Sequence, residues 1–341
     1  MTTIESIQTK QSSRTLANQL ARFRELGIIL FLVLIVIGAT IAQPRFLSSF
    51  NLRSILLWVP LLTVVAMGEM MVIITRGIDV SVGSILALAG IIVGMIFRDF
   101  PEFNIYLGTL LAILIGLGLG AINGALIAWV KIPPVITTLG TLSAYRGLTF
   151  IVSQGRQIDP NHVPRSLIHW SQVGPLGINL VPWVVVIAVV VAILTFFFLR
   201  SSKAGRNVYA IGGNQDAATL RGIPVAWTTF LVYAITGALA GLAGVLYASR
   251  FGFVNPGETG VGFELTAIAA VVIGGTNVFG GSGSVLGVVL GCLLLGTINV
   301  ALSVLGIAAT WQLAVYGFVI LLAVVVDAII QRELRRASTG E

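Results

Sequence analysis

Ten apolar runs, most of them near the length of a bilayer-crossing helix, constrain this chain more than any other feature. They cover 26–43, 54–75, 81–97, 106–130, 134–152, 181–199, 226–247, 264–278, 284–304 and 311–331. A helix needs about 20 apolar residues to cross the hydrocarbon core. The eighth run is short for that. Only 10% of the 341 residues are charged and 57% are hydrophobic, whereas a soluble domain carries about 25% charged residues. With a mean hydropathy of +1.01, little of the chain can face water. The expected fold is all-α: a polytopic transmembrane helix bundle of about ten spans. It would fill residues 26–331, between a polar segment 1–25 and a tail 332–341.

Lys and Arg flank the apolar runs instead of forming a stripe with aromatics, so the net charge of +7 reads as a topology signal and not as a nucleic-acid surface. With the N-terminus inside, the inner segments hold thirteen of the 20 basic residues and the outer ones six, Arg146 falling within a span. This bias, with an even span count, predicts that both termini are cytoplasmic. A basic start followed by Leu26–Ala42 also fits a signal peptide, with Thr40-Ile41-Ala42 as a cleavage site; the many later spans favour an uncleaved first helix.

Glycine makes up 39 residues, above the usual ~7%. Gly116, Gly120 and Gly124, Gly237 and Gly241, and Gly287 and Gly291 have the four-residue spacing that lets helices approach closely. The single cysteine, Cys292, lies in an apolar run and reads as an inert core thiol.

Two longer polar segments interrupt the pattern. Residues 153–180 hold both histidines, prolines and Trp170, and are expected to cap the outer mouth. Residues 200–225 are expected inside, and their second half reads as a short complete helix. Asn214 is a good N-cap. Asp216 and Arg221 suit the helix dipole. Gly222 suits a left-handed C′ position, and Pro224 stops continuation. Ala217, Ala218 and Leu220 are expected on its surface. A helix this short is not stable alone, so it packs either on the protein's own inner face or on a partner.

The pattern Gly205-Arg206, Ala210-x-Gly212-x-Asn214-x-x-Ala217-Ala218-x-x-x-Gly222 resembles the coupling segment of permease subunits in bacterial ribose-type ABC importers. "GIDVSVGS" at 77–84, "KIPPVITTLGTLSAYRGL" at 131–148 and "ELTAIAAVVIGGTNVFGGSGSVLGVVLG" at 264–291 resemble further blocks of that family. The resemblance covers roughly 28–332. It implies that 26–331 form a permease domain in the bacterial inner membrane, and that Ala217, Ala218 and Leu220 dock on a separate ATP-binding subunit with Gly205 and Arg206 shaping the entry. It also implies a second permease chain, identical or not, and an extracytoplasmic sugar-binding protein received by 153–180 and 248–263. Arg76 stands where many relatives resemble Gly-Gly-Ile-Asp, a departure that is similar to the rhamnose and autoinducer-2 branches and leaves ribose open.

"ITRGIDVSVGS" at 74–84 places Arg76 and Asp79 within a greasy stretch. One reading is a polar inner-surface hairpin in which the two side chains pair. The other is a break within the membrane, with Asp79, Ser81 and Gly83 on the translocation path. "DVSVGS" at 79–84 can be laid on "NVFGGS" at 277–282, which adds Asn277 and Gly281 as an equivalent turn at an inner gate. Asn123 and the threonines Thr137, Thr138 and Thr141, after the Pro133-Pro134 break, are further path candidates; helix–helix hydrogen bonding explains the threonines equally. Glu69, Glu264, Asn299 and Asp327 complete the polar residues in or beside spans. Glu264 reads as an interfacial charge and Asp327 as neutralising the basic tail. Such few, dispersed groups suit a neutral sugar better than a proton relay.

No H-E-x-x-H, G-x-S-x-G or Walker A pattern occurs. The chain is therefore expected not to be an enzyme and to bind no metal or cofactor itself, ATP belonging to partner subunits. The rival expectation is an ion-gradient-driven secondary sugar carrier, for which internal repeats and broken helices also speak; the capped inner helix separates the two.

Overall fold

Long apolar segments in this chain become helices, internal glycines and Pro60 included. A computed structural model describes residues 25–175 and 181–308, and positions 311, 314, 317, 318, 321 and 325. The helices are α1 Glu25–Ala42, α2 Ser49–Ile74, α3 Val82–Asp99, α4 Ile105–Ala128, α5 Pro134–Ser153, α6 Arg165–Gln172, α7 Trp183–Ser201, α8 Lys203–Gly213, α9 Gln215–Leu220, α10 Val225–Phe251, α11 Phe263–Ile273 and α12 Val285–Val304. Eight of these, α1 to α5, α7, α10 and α12, are long and apolar enough to cross a membrane.

The expected ten spans need correcting at the eighth. Its helix stops at Ile273 after 11 residues, about 16 Å at 1.5 Å per residue, too short for a bilayer. Gly274 ends it and Gly275 follows at φ 91°. The run at 311–331 lies mostly outside the described residues, as do the polar segment 1–24, residues 176–180 and the tail.

α2 is the axis of the bundle. From Pro60 to Ile74 every side chain is buried, as expected of a helix that is apolar all round. α1, α4, α5 and α7 instead expose large apolar side chains, among them Leu30, Leu114, Ile136 and Leu194. Helices α4 and α10 pack closely along their glycines. A Cβ on Gly116 would collide with the Gly237 carbonyl, one on Gly120 with the Tyr233 carbonyl, and one on Gly241 with the Ala112 carbonyl. α12 meets α11 the same way, Gly287 and Gly291 lying on the carbonyls of Gly274 and Ala270. All three predicted glycine sets therefore mark real close approaches. Cys292 is fully buried in α12.

At the end opposite α8 and α9, the segment after α5 folds over the bundle. Ile158 bridges Val254, and α6 docks on α10 through Ser171 and Ser249, whose hydroxyls lie 2.9 Å apart. Arg146 ties α5 to the loop after α10, donating to the carbonyls of Pro256 and Thr259 at 3.1 and 2.8 Å.

Candidate coupling site and the buried break

The polar segment 200–225 makes two helices joined at one residue. Asn214 is extended, at φ −159°. Its own amide closes α8 on the Ala210 carbonyl, while its side-chain oxygen takes the Ala217 amide at 2.9 Å and opens α9. At the far end Gly222 has φ 74°, and the Ile223 amide reaches back to the Ala218 carbonyl at 3.0 Å, the six-to-one bond of a left-handed helix stop. The predicted caps of the short helix are thus in place.

The exposed surface of α9 is narrower than expected. Leu220 is 89% exposed and Ala217 is open, but Ala218 faces the protein and is buried. Ala218 falls on the inward side because α9 is held against α8 and α10. Arg206, Ala210, Asn214 and Gly222 are exposed, whereas Gly205 and Gly212 are buried. Gly205 lets α8 turn back on α7: a Cβ there would strike the Phe198 carbonyl. The Arg206 guanidinium caps α7, donating to the Ser201 carbonyl at 2.9 Å. Helix α8 itself had no clear signal, since Gly205, Gly212 and Gly213 mask its apolar positions Val208 and Ile211.

Gly212 is where three segments meet. A Cβ on it would collide with the Ile74 carbonyl and approach the Gly281 amide. The Gly281 amide in turn donates to the Ile74 carbonyl at 2.9 Å, and the Tyr209 hydroxyl donates to the Gly283 carbonyl at 3.1 Å. Burial raises the Tyr209 phenol above its ordinary pKa. So the end of α8, the end of α2 and the Gly-rich turn before α12 form one junction.

The predicted pairing of Arg76 with Asp79 does not occur. Arg76 has a left-handed backbone, φ 67°, which sends its side chain outward to α8, while Asp79 is fully buried. The Asp79 amide donates to Glu69 Oε1 at 3.1 Å, and Asp79 Oδ1 accepts from the Ser81 amide and hydroxyl at 2.9 and 2.6 Å. Asn123 of α4 donates to the Ser81 hydroxyl at 2.8 Å, and the Tyr145 hydroxyl of α5 lies 3.3 Å from Asn123 Oδ1. Four helices therefore converge on the break. Glu69 Oε2, Asp79 Oδ2, Thr137 Oγ1 and Tyr233 Oη are buried without a partner among the described residues.

Depth along α10 separates the two readings of this stretch. Gly77 lies against Tyr233 and Gly90 against Gly244, about 12 and 28 Å from the start of α10 at 1.5 Å per residue. Asp79 and Ser81 thus sit partway up the bundle, and the segment is a break within it, not a hairpin at its end. Gly83 packs on the backbone of Gly260, just before α11, so the starts of α3 and α11 meet inside the molecule.

The expected path residues fall into two groups. Asp79, Ser81 and Asn123 are hydrogen-bonded together, with Thr138 beside them, its hydroxyl 3.2 Å from the Ile78 carbonyl. Thr137 is buried and Thr141 half-buried, bonded back to the Thr137 carbonyl. Asn277 and Gly281 belong instead to the α8 junction. The two laid-over turns share a local device: Asp79 Oδ1 accepts the Ser81 amide, and Asn277 Oδ1 accepts the Phe279 amide, each two residues on, at 2.9 Å. Glu264 is more than an interfacial charge, because its carboxylate reaches the space above Gly83. Tyr145 and Tyr209 join these networks without a motif to mark them; a Tyr inside or beside an apolar run is the signal that points to each. Asp327 lies outside the described residues.

Residues 51–324 match the family described as "Branched-chain amino acid transport system / permease component". The D-allose transport system permease protein AlsC of Escherichia coli (strain K12) is 35% identical over 301 residues, 88% of this chain and 90% of the relative. The ribose import permease protein RbsC of the same strain is 37% identical over 303 residues, 88% and 92% of the two chains. The autoinducer 2 import system permease protein LsrC of Photorhabdus luminescens is 38% identical over 284 residues, 82% of each. No solved structure matches.

Proposed function

This chain belongs to the family of branched-chain amino acid transport system permease components, and we propose that within it the chain is the membrane-spanning subunit of an ATP-binding cassette importer for a monosaccharide or a related small polar molecule. Relatives whose names are D-allose, ribose and autoinducer 2 permeases support the substrate class. The observation that carries the coupling role is α9, a rigidly capped helix with Leu220 and Ala217 presented outward.

In this reading two ATP-binding subunits dock at α8 and α9 from the cytoplasm, and a second permease chain completes the pathway. The sugar-binding protein sits over 153–180 and the loop after α10, in a bacterial inner membrane. ATP stays on the partner subunits.

The test is to purify the tagged chain from its native membrane in mild detergent and identify its companions by mass spectrometry. An ATP-binding subunit is expected with the wild type and is expected to be lost from Ala217→Arg, Leu220→Arg and Arg206→Glu. A chain that emerges alone, or variants that retain the subunit, would contradict the docking role.

A further inference from the structure

Arg76 occupies an unusual place for a charged residue. It is the first residue after the buried α2 and its cap, in a left-handed conformation that glycine adopts more readily (φ 67°). Its side chain is exposed on one side yet lies along the end of α8. Nε donates to the Gly212 carbonyl and Nη2 to the Gly213 carbonyl, each at 2.7 Å. Those carbonyls belong to the last turn of α8, where no helical amide remains to pair them and the helix dipole favours a cation. Two short charge-assisted bonds from one planar group fix an angle as well as a distance.

What Arg76 joins is equally particular. On one side stands α8, continuous through Asn214 with the exposed helix α9. On the other, three residues along the chain, stands Asp79, the centre of the network with Glu69, Ser81 and Asn123. Between them the chain is short, with Gly77 packed under Tyr233. A cavity of about 550 Å³ lies beside α9, lined by Arg76, Lys131, Gln215, Thr219 and Tyr233, so α9 has room to move on that side. We infer that Arg76 is a positioning residue for transport: a two-bond latch through which displacement of α8 and α9 pulls on the α2–α3 break. This inference rests on the importer reading.

The test uses the full importer, permease with its ATP-binding subunits and binding protein, in proteoliposomes. Sugar moved per ATP hydrolysed is compared for the wild type, Arg76→Gly, Arg76→Gln and Arg76→Lys. Glycine adopts the left-handed conformation without strain, and retained ATP-binding subunits and ATP turnover show that the variant is folded. Arg76→Gly is expected to keep its ATP-binding subunits and its ATP turnover while sugar moved per ATP falls about tenfold, with Lys between Gly and wild type. Hydrogen exchange on the purified chain is expected to rise at the α8 end, residues 208–214, in Arg76→Gly. A wild-type ratio of sugar to ATP in Arg76→Gly and Arg76→Gln would overturn the latch. A wild type with no ATP-binding subunit at all would overturn the importer reading, and the latch with it, whatever the exchange data show.

Discussion

Asn214 concentrates the residue-scale argument, because one side chain and one amide join two helices. Removing its side-chain oxygen leaves the Ala217 amide uncapped, at a cost of about 1 kcal/mol. In a six-residue helix with few other bonds, that cost falls on the geometry of the docking surface. Asn214→Ala is expected to weaken binding of the ATP-binding subunit about fivefold, read by titrating the purified subunit onto the chain in nanodiscs. Asn214→Asp keeps the acceptor and is expected to bind like the wild type. Equal weakening by both variants would show that the amide group, not the cap, matters. The caps at Asn214, Gly222 and Pro224 were legible in the sequence because capping is a local rule of residue type and spacing. The direction of Arg76 was not, because it depends on a backbone φ and on carbonyls 136 and 137 residues away.

At the scale of elements, glycine spacing decides which helices touch. Gly237 of α10 and Gly118 of α4 make the contrast, both being helical glycines in apolar surroundings. A Cβ at Gly237 would strike the Gly116 carbonyl, whereas one at Gly118 meets nothing within 4 Å. Gly237→Leu must force α4 from α10, an overpacking cost of about 1–3 kcal/mol. Its melting temperature in detergent is expected to fall well below that of the wild type. Gly118→Ala removes a flexible residue from a helix, worth roughly 0.5–1 kcal/mol, and is expected to melt no lower than the wild type. A normal melting temperature for Gly237→Leu would contradict the close approach. Periodicity and run length placed eight long helices well, since length and hydropathy are what make a membrane helix. They failed at 264–278, where an apolar run ends as a helix at Ile273, because Gly274 and Gly275 give a turn that hydropathy does not register. They missed α6 and α8, whose amphipathic faces are stabilised by the bundle they lie on.

At the scale of the whole molecule, a buried axis, α2, is surrounded by helices that turn apolar faces outward. The break after α2 and the short α11 both begin inside the bundle and meet at Gly83 and Gly260. Discontinuous elements of this kind are tolerated at membrane depth where protein covers them. The α8–α9 unit touches the α2 end of the same break through Arg76 and Gly212, so one end of the protein is mechanically continuous with its interior. That continuity is what the proposed energy supply requires. The most direct measurement of it is sugar uptake into proteoliposomes containing the chain with its binding protein, with and without the ATP-binding subunits. Uptake that appears only with those subunits and ATP, and persists when ionophores collapse every ion gradient, is the predicted result. Uptake by the chain alone, driven by an ion gradient and abolished by the ionophore, would contradict it.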